Sequence, residues 1–224
     1  MTLSVLLFDM ETGAAGVATA TGLAAVGAFV PHVEAGAGAL TTQGAYTNWL
    51  YGARGLELLR KGYRAKMVLQ RLIAEDEGRE FRQCLVVDRR GNATAWTGKN
   101  NNDVIEVVSE NGIVAGGNLL AKPGVASAMV AAVKDNANQP IALRLFEALQ
   151  AGAGAGGDSR GLISAAIKVD FHDKPPVDIR VDYAPENTLE KLWEVYCHYQ
   201  NPPFKSFYDS LPTRNNYSRY GQIP

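Results

Sequence analysis

The sequence predicts one α+β domain, a four-layer αββα sandwich of two antiparallel sheets, on three observations. Strand-like stretches rich in β-formers and separated by turn signals recur at the start, middle and end of the chain. Two pairs of amphipathic helical stretches lie between them, so strands and helix pairs alternate. No internal break reads as a linker, and 224 residues are enough for a sizeable core. The hydrophobic fraction of 46% and charged fraction of 20% are ordinary for a globular protein and argue against disorder along the whole length.

Residues 2–8 cluster β-formers and meet the turn signal Asp9-Met10-Glu11-Thr12-Gly13, and residues 14–21 return as a small-residue strand, which makes an opening β-hairpin. Val26–Val30 and Gly36–Gln43 read as two more strands, with a run of Gly and Ala that suits close packing of another backbone or sheet. Leu56, Leu59 and Tyr63 fall at helical spacing with Gly62 as a stop, and Val68, Leu69, Leu72 and Ile73 give a second helix ending near Glu77-Gly78. Phe81–Val87 and Ala93–Thr97 form a hairpin about residues 88–92, and residues 104–108 and 112–116 another about Asn111-Gly112. Pro123 suits the first turn of a helix carrying Val125, Met129 and Val133, and Pro140 opens another carrying Ile141, Leu145 and Leu149. The Gly/Ala run 151–157 ends that helix, and Leu162–Phe171 and Val177–Val181 are strands. A last helix spans about Asn187 to Tyr199, and the tail beyond it, with Phe204, Phe207, Tyr208, Tyr217 and Tyr220, has no periodicity.

Several function classes are excluded or disfavoured. A formal charge of -1 with no basic cluster leaves no electrostatic footprint for nucleic acid. The apolar start has no preceding basic residue and meets Asp9 and Glu11 at once, unlike a secretory signal, and no run approaches a membrane span. Cys84 and Cys197, far apart, read as reduced thiols of a cytoplasmic protein, so the Asn-x-Ser/Thr triplets at Asn92 and Asn216 are chance matches. His32, His172 and His198 lack ligand spacing, so no metal is expected, and no cofactor is implied. Gly152-x-Gly154-x-x-Gly157 follows a helix and precedes a strand, the reverse of a dinucleotide fingerprint. No Gly-x-Ser-x-Gly elbow, Walker loop or His-Glu-x-x-His is present.

Thr2 stands out by position. Removal of the initiator Met1 leaves a residue holding a hydroxyl nucleophile and an α-amine, whose unperturbed pKa near roughly 7.7–8.0 lets it serve as general base without a histidine. A Thr2 still capped by Met1 cannot do this. Met-Thr also begins many ordinary proteins, so the neighbouring residues must carry the reading.

They resemble known families. Thr2-Leu-Ser-Val-Leu-Leu-Phe-Asp9, a turn with Gly13, then Ala18-Thr19-Ala20-Thr21-Gly22 is similar to the start of the nucleophile subunit of Thr-dependent asparaginases, with Thr21 matching the second threonine. Pro31 followed by Gly36-Ala37-Gly38 looks like that family's Pro-x-x-Gly-Ala-Gly at a different spacing. Gly157-Asp158-Ser159-Arg160-Gly161 is more loosely similar to the Asp-x-x-Ser-Gly-Gly segment of proteasomal nucleophile subunits. The nearer resemblance, over residues 2 to about 170, is to the bacterial domain of unknown function 1028, an N-terminal-nucleophile (Ntn) hydrolase-like group. It rests on Thr2–Asp9 with Thr12-Gly13, Ala25-Val26-Gly27, Thr42-Gln43 and Asn48 to Leu59. Gly78-Arg79-Glu80 with Arg82-Gln83, Gly117-Asn118-Leu119-Leu120, and Gly156-Gly157-Asp158 with Arg160-Gly161 complete it. Where that pattern carries a Ser-Lys pair this chain has Thr21-Gly22, which lacks a charge that would tune the terminal amine.

The resemblance implies the Ntn fold over residues 1–183, with residues 184–224 a C-terminal helix and an aromatic and Pro-containing tail packed on the domain or on a partner subunit. The expected activity is hydrolysis of a small amide or peptide-like bond through an acyl-Thr2 intermediate in a cytoplasmic homo-oligomer. Thr21 and Asp158 would orient and polarise the pair, and Gln43, Gly44, Asn48 and Asn118 would bind substrate or the oxyanion. Gln43, Asn48 and Asn118 would equally satisfy loop backbone groups, and Asp158 a turn or cap. The alternative is a catalytically silent Ntn-like fold that binds a metabolite or serves as an assembly subunit.

Overall fold

The opening hairpin forms the middle of the larger sheet. β1 (Thr2–Phe8) pairs antiparallel with β2 (Ala15–Thr21), Leu3 opposite Ala20 and Phe8 opposite Ala15. The turn between them is set by Asp9, whose carboxylate accepts from the Glu11 and Thr12 amides and the Thr12 hydroxyl, and by Gly13 at φ 73°. The computed structural model describes residues 2–101 and 104–221, so Met1 lies outside the described residues.

β8 (Ile113–Leu120) flanks β1 on its other side with Thr2 opposite Asn118, and β7 (Val104–Glu110), β9 (Ser164–Asp170) and β10 (Val177–Val181) complete the order β10-β9-β2-β1-β8-β7. The smaller sheet runs β3 (Pro31–Glu34), β4 (Gly38–Gly44), β5 (Arg82–Asp88) and β6 (Ala93–Thr97). Every strand pair in both sheets is antiparallel. With seven α-helices among the described residues, the fold is mixed α+β.

Strand alternation explains where the cores form. Leu3, Val5 and Leu7 of β1 pack with Met129, Val130 and Val133 of α4 (Val125–Asp135) and with Leu145, Phe146 and Leu149 of α5 (Ile141–Gly154). Leu6 and Phe8, on the opposite face, join Val17, Ala39, Leu85, Val87 and Val114 in a core shared by both sheets. Leu40, Cys84 and Val86 point the other way, onto α2 (Leu50–Arg60) and α3 (Ala65–Ala74). Each such buried Leu or Val contributes about 1.5–3 kcal/mol. The start of α4 is capped across the fold: Glu106 of β7 accepts from the Gly124, Ala126 and Ser127 amides and the Ser127 hydroxyl. Burial pulls its carboxyl up, but the bonds from Ser127, Ala126 and Gly124 outweigh that and hold it below its ordinary value.

Two expectations need correction. Val26–Val30 is not a strand: Val26–Phe29 is the helical turn α1, and the strand begins at Pro31. The β-formers there are overridden by tertiary contacts. Ser164 Oγ accepts the Val26 amide, the Asp182 carbonyl accepts that of Ala25, and Val26 and Val30 pack on Ala166. The Gly/Ala run 151–157 does end α5, at Gly154, and inside the helix Gly152 fits against Met129 and Leu3 where a Cβ would come within 3.0 Å of both. The tail is not without regular structure. After α6 (Thr188–Gln200), Phe204–Ser210 forms α7, too short to show a period. It is held by its own domain: Tyr199 packs on Phe204 and Tyr208, Tyr208 donates to the Pro175 carbonyl, and Arg214 pairs with Asp170. No helix among the described residues is long and apolar enough to cross a membrane.

Candidate active site

The first residue of β1 sits at the end of the sheets where the interior between them turns polar. Thr2 is almost wholly buried, and its hydroxyl donates to Thr21 Oγ1 at 3.4 Å from the last position of β2. The hairpin register brings the two threonines together, since residues at the open end of β1 must lie beside the last residues of β2. Both line a cavity of about 180 Å³ with Leu23, Ala24, Val26, Phe29, Val30, Gln43, Gly44, Ala45 and Thr47.

Gln43 enters this space from the other sheet. Its Nε2 donates to the Thr2 carbonyl at 3.2 Å and to Gln83 Oε1 at 2.7 Å, and its Oε1 accepts from Ser4 Oγ at 2.6 Å. Gln83 in turn donates to Thr97 Oγ1 and the Gly117 carbonyl, both at 3.0 Å, while its Oε1 also accepts from Asn118 Nδ2 at 2.8 Å. Ser4 Oγ lies 2.8 Å from Thr19 Oγ1. The result is a closed network of neutral side chains spanning both sheets. A fully satisfied network of this kind fixes side-chain positions, and here it holds the Thr2 backbone by its carbonyl. Ser4, Thr19 and Gln83 were missing from the sequence-predicted set. Gln83 carried a signal: it shares a strand face with the apolar Leu85 and Val87, a position where a buried amide needs partners.

The other predicted residues divide. Gly44 borders the cavity at φ 129°, where a Cβ would meet the Phe81 carbonyl at 2.4 Å. Asn118 is the cross-strand neighbour of Thr2, but its amide points at Gln83 and it does not border the cavity. Asp158 does not border it either. Its buried carboxylate accepts the Gly22 amide at 2.6 Å, next to Thr21, and pairs with Arg160 at 3.2 Å, while its backbone bridges Leu120. Asp158 therefore fastens the turn after Thr21 to the β8 end of the sheet.

Asn48 is further from Thr2. It donates to Asp76 at 3.2 Å, as do Tyr51 at 2.8 Å and Arg82 at 3.0 Å. Arg82 also donates to the Tyr46 carbonyl at 2.7 Å, so this cluster anchors the loop that supplies Ala45 and Thr47 to the cavity wall. Burial alone would raise Asp76, but the bonds from Arg82, Tyr51 and Asn48 hold its carboxyl well below the ordinary value. Burial pushes the Cys84 thiol far up, which removes it as a nucleophile at neutral pH. Among the described residues no group of three or more His, Cys, Asp or Glu side chains is placed to hold a metal ion.

A larger cavity of about 730 Å³ lies at the opposite end, among the β1–β2 turn, the start of α5, and α6 and α7. Volume alone would favour it. Several of its polar groups bond within the protein: Asp9 to its own turn, Tyr208 to Pro175, Tyr199 to Pro176 and Lys205 to Asp209. The smaller cavity holds Thr2 and its convergent partners, and it is the candidate site.

Comparison with known proteins gives a family and a structural neighbour. The family model described as Family of unknown function (DUF1028) matches residues 2–192. The crystal structure of protein SPO2555 from Silicibacter pomeroyi, described by the same family, superimposes with a TM-score of 0.93 at 34% identity, covering 100% of this chain and 96% of that one. Thiobacillus denitrificans BPH aligns over 83% of this chain and 100% of its own at 11% identity, and its TM-score of 0.33 is too low to indicate a shared fold. No curated protein matches.

Proposed function

This chain belongs to the DUF1028 family, and we propose that it is an Ntn-type amidohydrolase acting on a small amide or peptide-like bond through an acyl-Thr2 intermediate. The observation that carries the reading is the pairing of Thr2 with Thr21 at the mouth of a cavity, on the first strand of the larger sheet. Taken in order, the α4–α5 core, the core between the sheets and the α2–α3 core fit a four-layer αββα sandwich of the Ntn kind.

In this mechanism the Thr2 oxygen attacks the amide carbon and its proton passes to the Thr2 α-amine, freed by removal of Met1. The amine hands the proton to the leaving nitrogen as the C–N bond breaks, leaving an ester on Thr2. Water then attacks the ester, the same amine serving as base, and the acid is released with the hydroxyl restored. Thr21 orients the nucleophile. Gln43 holds the Thr2 backbone by its carbonyl, and the backbone N–H at Gly44 is the proposed oxyanion donor. Asp158 and Asn118 position neighbouring backbone and side chains, and Asn48 supports the cavity loop.

The closed Gln43–Gln83–Asn118 network, which leaves no Gln43 N–H for a ligand, favours a second reading: a silent Ntn-like subunit that binds a metabolite or joins an assembly. We place the protein in the cytoplasm as a homo-oligomer, with the exposed Tyr217 and Tyr220 as its contact residues. A panel of small amides separates the two readings. The processed chain should turn over at least one of them, whereas the Met1-retaining chain and Thr2→Ala should not. Equal turnover by processed and Met1-retaining protein would rule out the terminal amine as base.

A further inference from the structure

Eleven residues line the cavity at Thr2, and none carries an ionisable side chain. Leu23, Ala24, Val26, Phe29 and Val30 build one wall, and Ala45 and Thr47 the edge of another. Among the polar members, Gln43 has both amide hydrogens and its oxygen engaged within the protein. In the adjacent ion pair, which does not border the cavity, Nε and Nη2 of Arg160 both donate to Asp158, whose other bonds go to the Gly22 and Arg160 amides. Among these side chains a charged group would lose its hydration without a partner, which is strongly unfavourable. The one ionisable group the processed chain adds, the Thr2 α-amine, is the proposed base and acts in its neutral form. An apolar group would instead cover Leu23 and Phe29, each about half exposed although both line the cavity.

Size narrows the ligand further. The cavity's 180 Å³ falls below the roughly 300–1,000 Å³ of sites that enclose whole drug-sized ligands. It holds one substituent of a substrate, with the remainder in solvent.

We propose that this cavity is an acyl-side specificity pocket for an uncharged, apolar group, a short branched aliphatic chain or a single ring. The substrate class is then a neutral carboxamide, not an amino-acid amide or an acidic one. The assignment rests on the acyl-Thr2 reading for its chemistry, but the pocket's preference is a binding property and can be measured apart from it. Phe29 and Leu23 are the specificity-determining residues.

The test uses the processed full-length chain and its Thr2→Ala variant, titrated by ligand-observed NMR with isovaleramide and benzamide, and with the charged amides valinamide and succinamate. The neutral amides should bind about tenfold or more tighter than the charged ones in both proteins. Phe29→Ala should erode that preference, and Leu23→Lys should shift it toward succinamate; both side chains are half exposed, so folding should survive the changes. Equal or tighter binding of valinamide or succinamate, or no binding of either neutral amide, overturns the pocket assignment. Selective binding of neutral amides that are never hydrolysed keeps it and overturns the acyl-Thr2 reading. Hydrolysis of charged amides alone does the reverse.

Discussion

The space between the two sheets has two ends made from the same strands and filled in opposite ways. At one end, Leu6 and Phe8 of β1 meet Val17, Ala39, Leu85, Val87 and Val114 in an apolar core. At the other, the same strand faces present Thr2 and Ser4, Thr19 and Thr21, Thr41 and Gln43, and Gln83, all buried. An apolar end needs only shape and area. A polar end must satisfy its donors and acceptors, and apart from Thr41 Oγ1 it does so through the Ser4–Gln43–Gln83–Asn118 network. The contrast separates scaffold from candidate site: residues four positions apart on one strand, Leu6 and Thr2, either hold the sheets together or line the cavity.

The largest stability effect should come from the apolar end. Leu85→Ala, a fully buried side chain, should cost about 3–5 kcal/mol in denaturant unfolding while leaving turnover per folded molecule near that of the parent. If activity falls with stability, the two ends are not separable. Gln83→Ala should cost less, about 2–3 kcal/mol, since it strips partners from Gln43 and Asn118. It should nevertheless suppress acylation, because the Thr2 carbonyl loses its fixed support. Full activity in that variant would show that the network is only structural.

Asp76 sharpens the comparison outside the sheets. Its folded carboxyl is held below its unfolded value of about 3.9, so its contribution is present above about pH 4 and disappears as pH falls towards the folded value. Asp76→Asn should cost about 2 kcal/mol at pH 7 and distinctly less at pH 2, read from unfolding curves at the two values. An equal loss at both would remove the charge from the explanation. The smallest effect is a gain. Thr41 Oγ1 is buried with no hydrogen-bond partner among the described residues, so Thr41→Val should stabilise by about 1 kcal/mol, seen as a higher Tm.

Much of the scaffold was legible because strand and turn chemistry is local. The Thr2–Phe8 and Ala15–Thr21 hairpin and the turn at Asn111-Gly112, with Gly112 at φ 77°, follow from β-formers and turn residues within a few positions. α1 was misread because Val26 and Phe29, with Val30 after them, are β-formers, while its helical turn is imposed by Ser164 and Ala166, far away in sequence. α7 escaped because seven residues show no period. In the site, the meeting of Thr2 with Thr21 follows from a hairpin register, whereas the inward turn of Gln83 depends on how one sheet lies on the other. Asn48 shows the converse: a polar residue near the site in sequence that the fold commits to Asp76.

The central claim is that the Thr2 hydroxyl, with its own amine as base, takes up an acyl group. Intact-mass analysis of the processed chain after brief exposure to a neutral, apolar β-lactone, followed by peptide mapping, tests it most directly. The account predicts one added acyl mass, located on the peptide that begins at Thr2, and none on Thr2→Ala or on the chain that keeps Met1. An adduct on another residue, or equal labelling of the Met1-retaining chain, would contradict it.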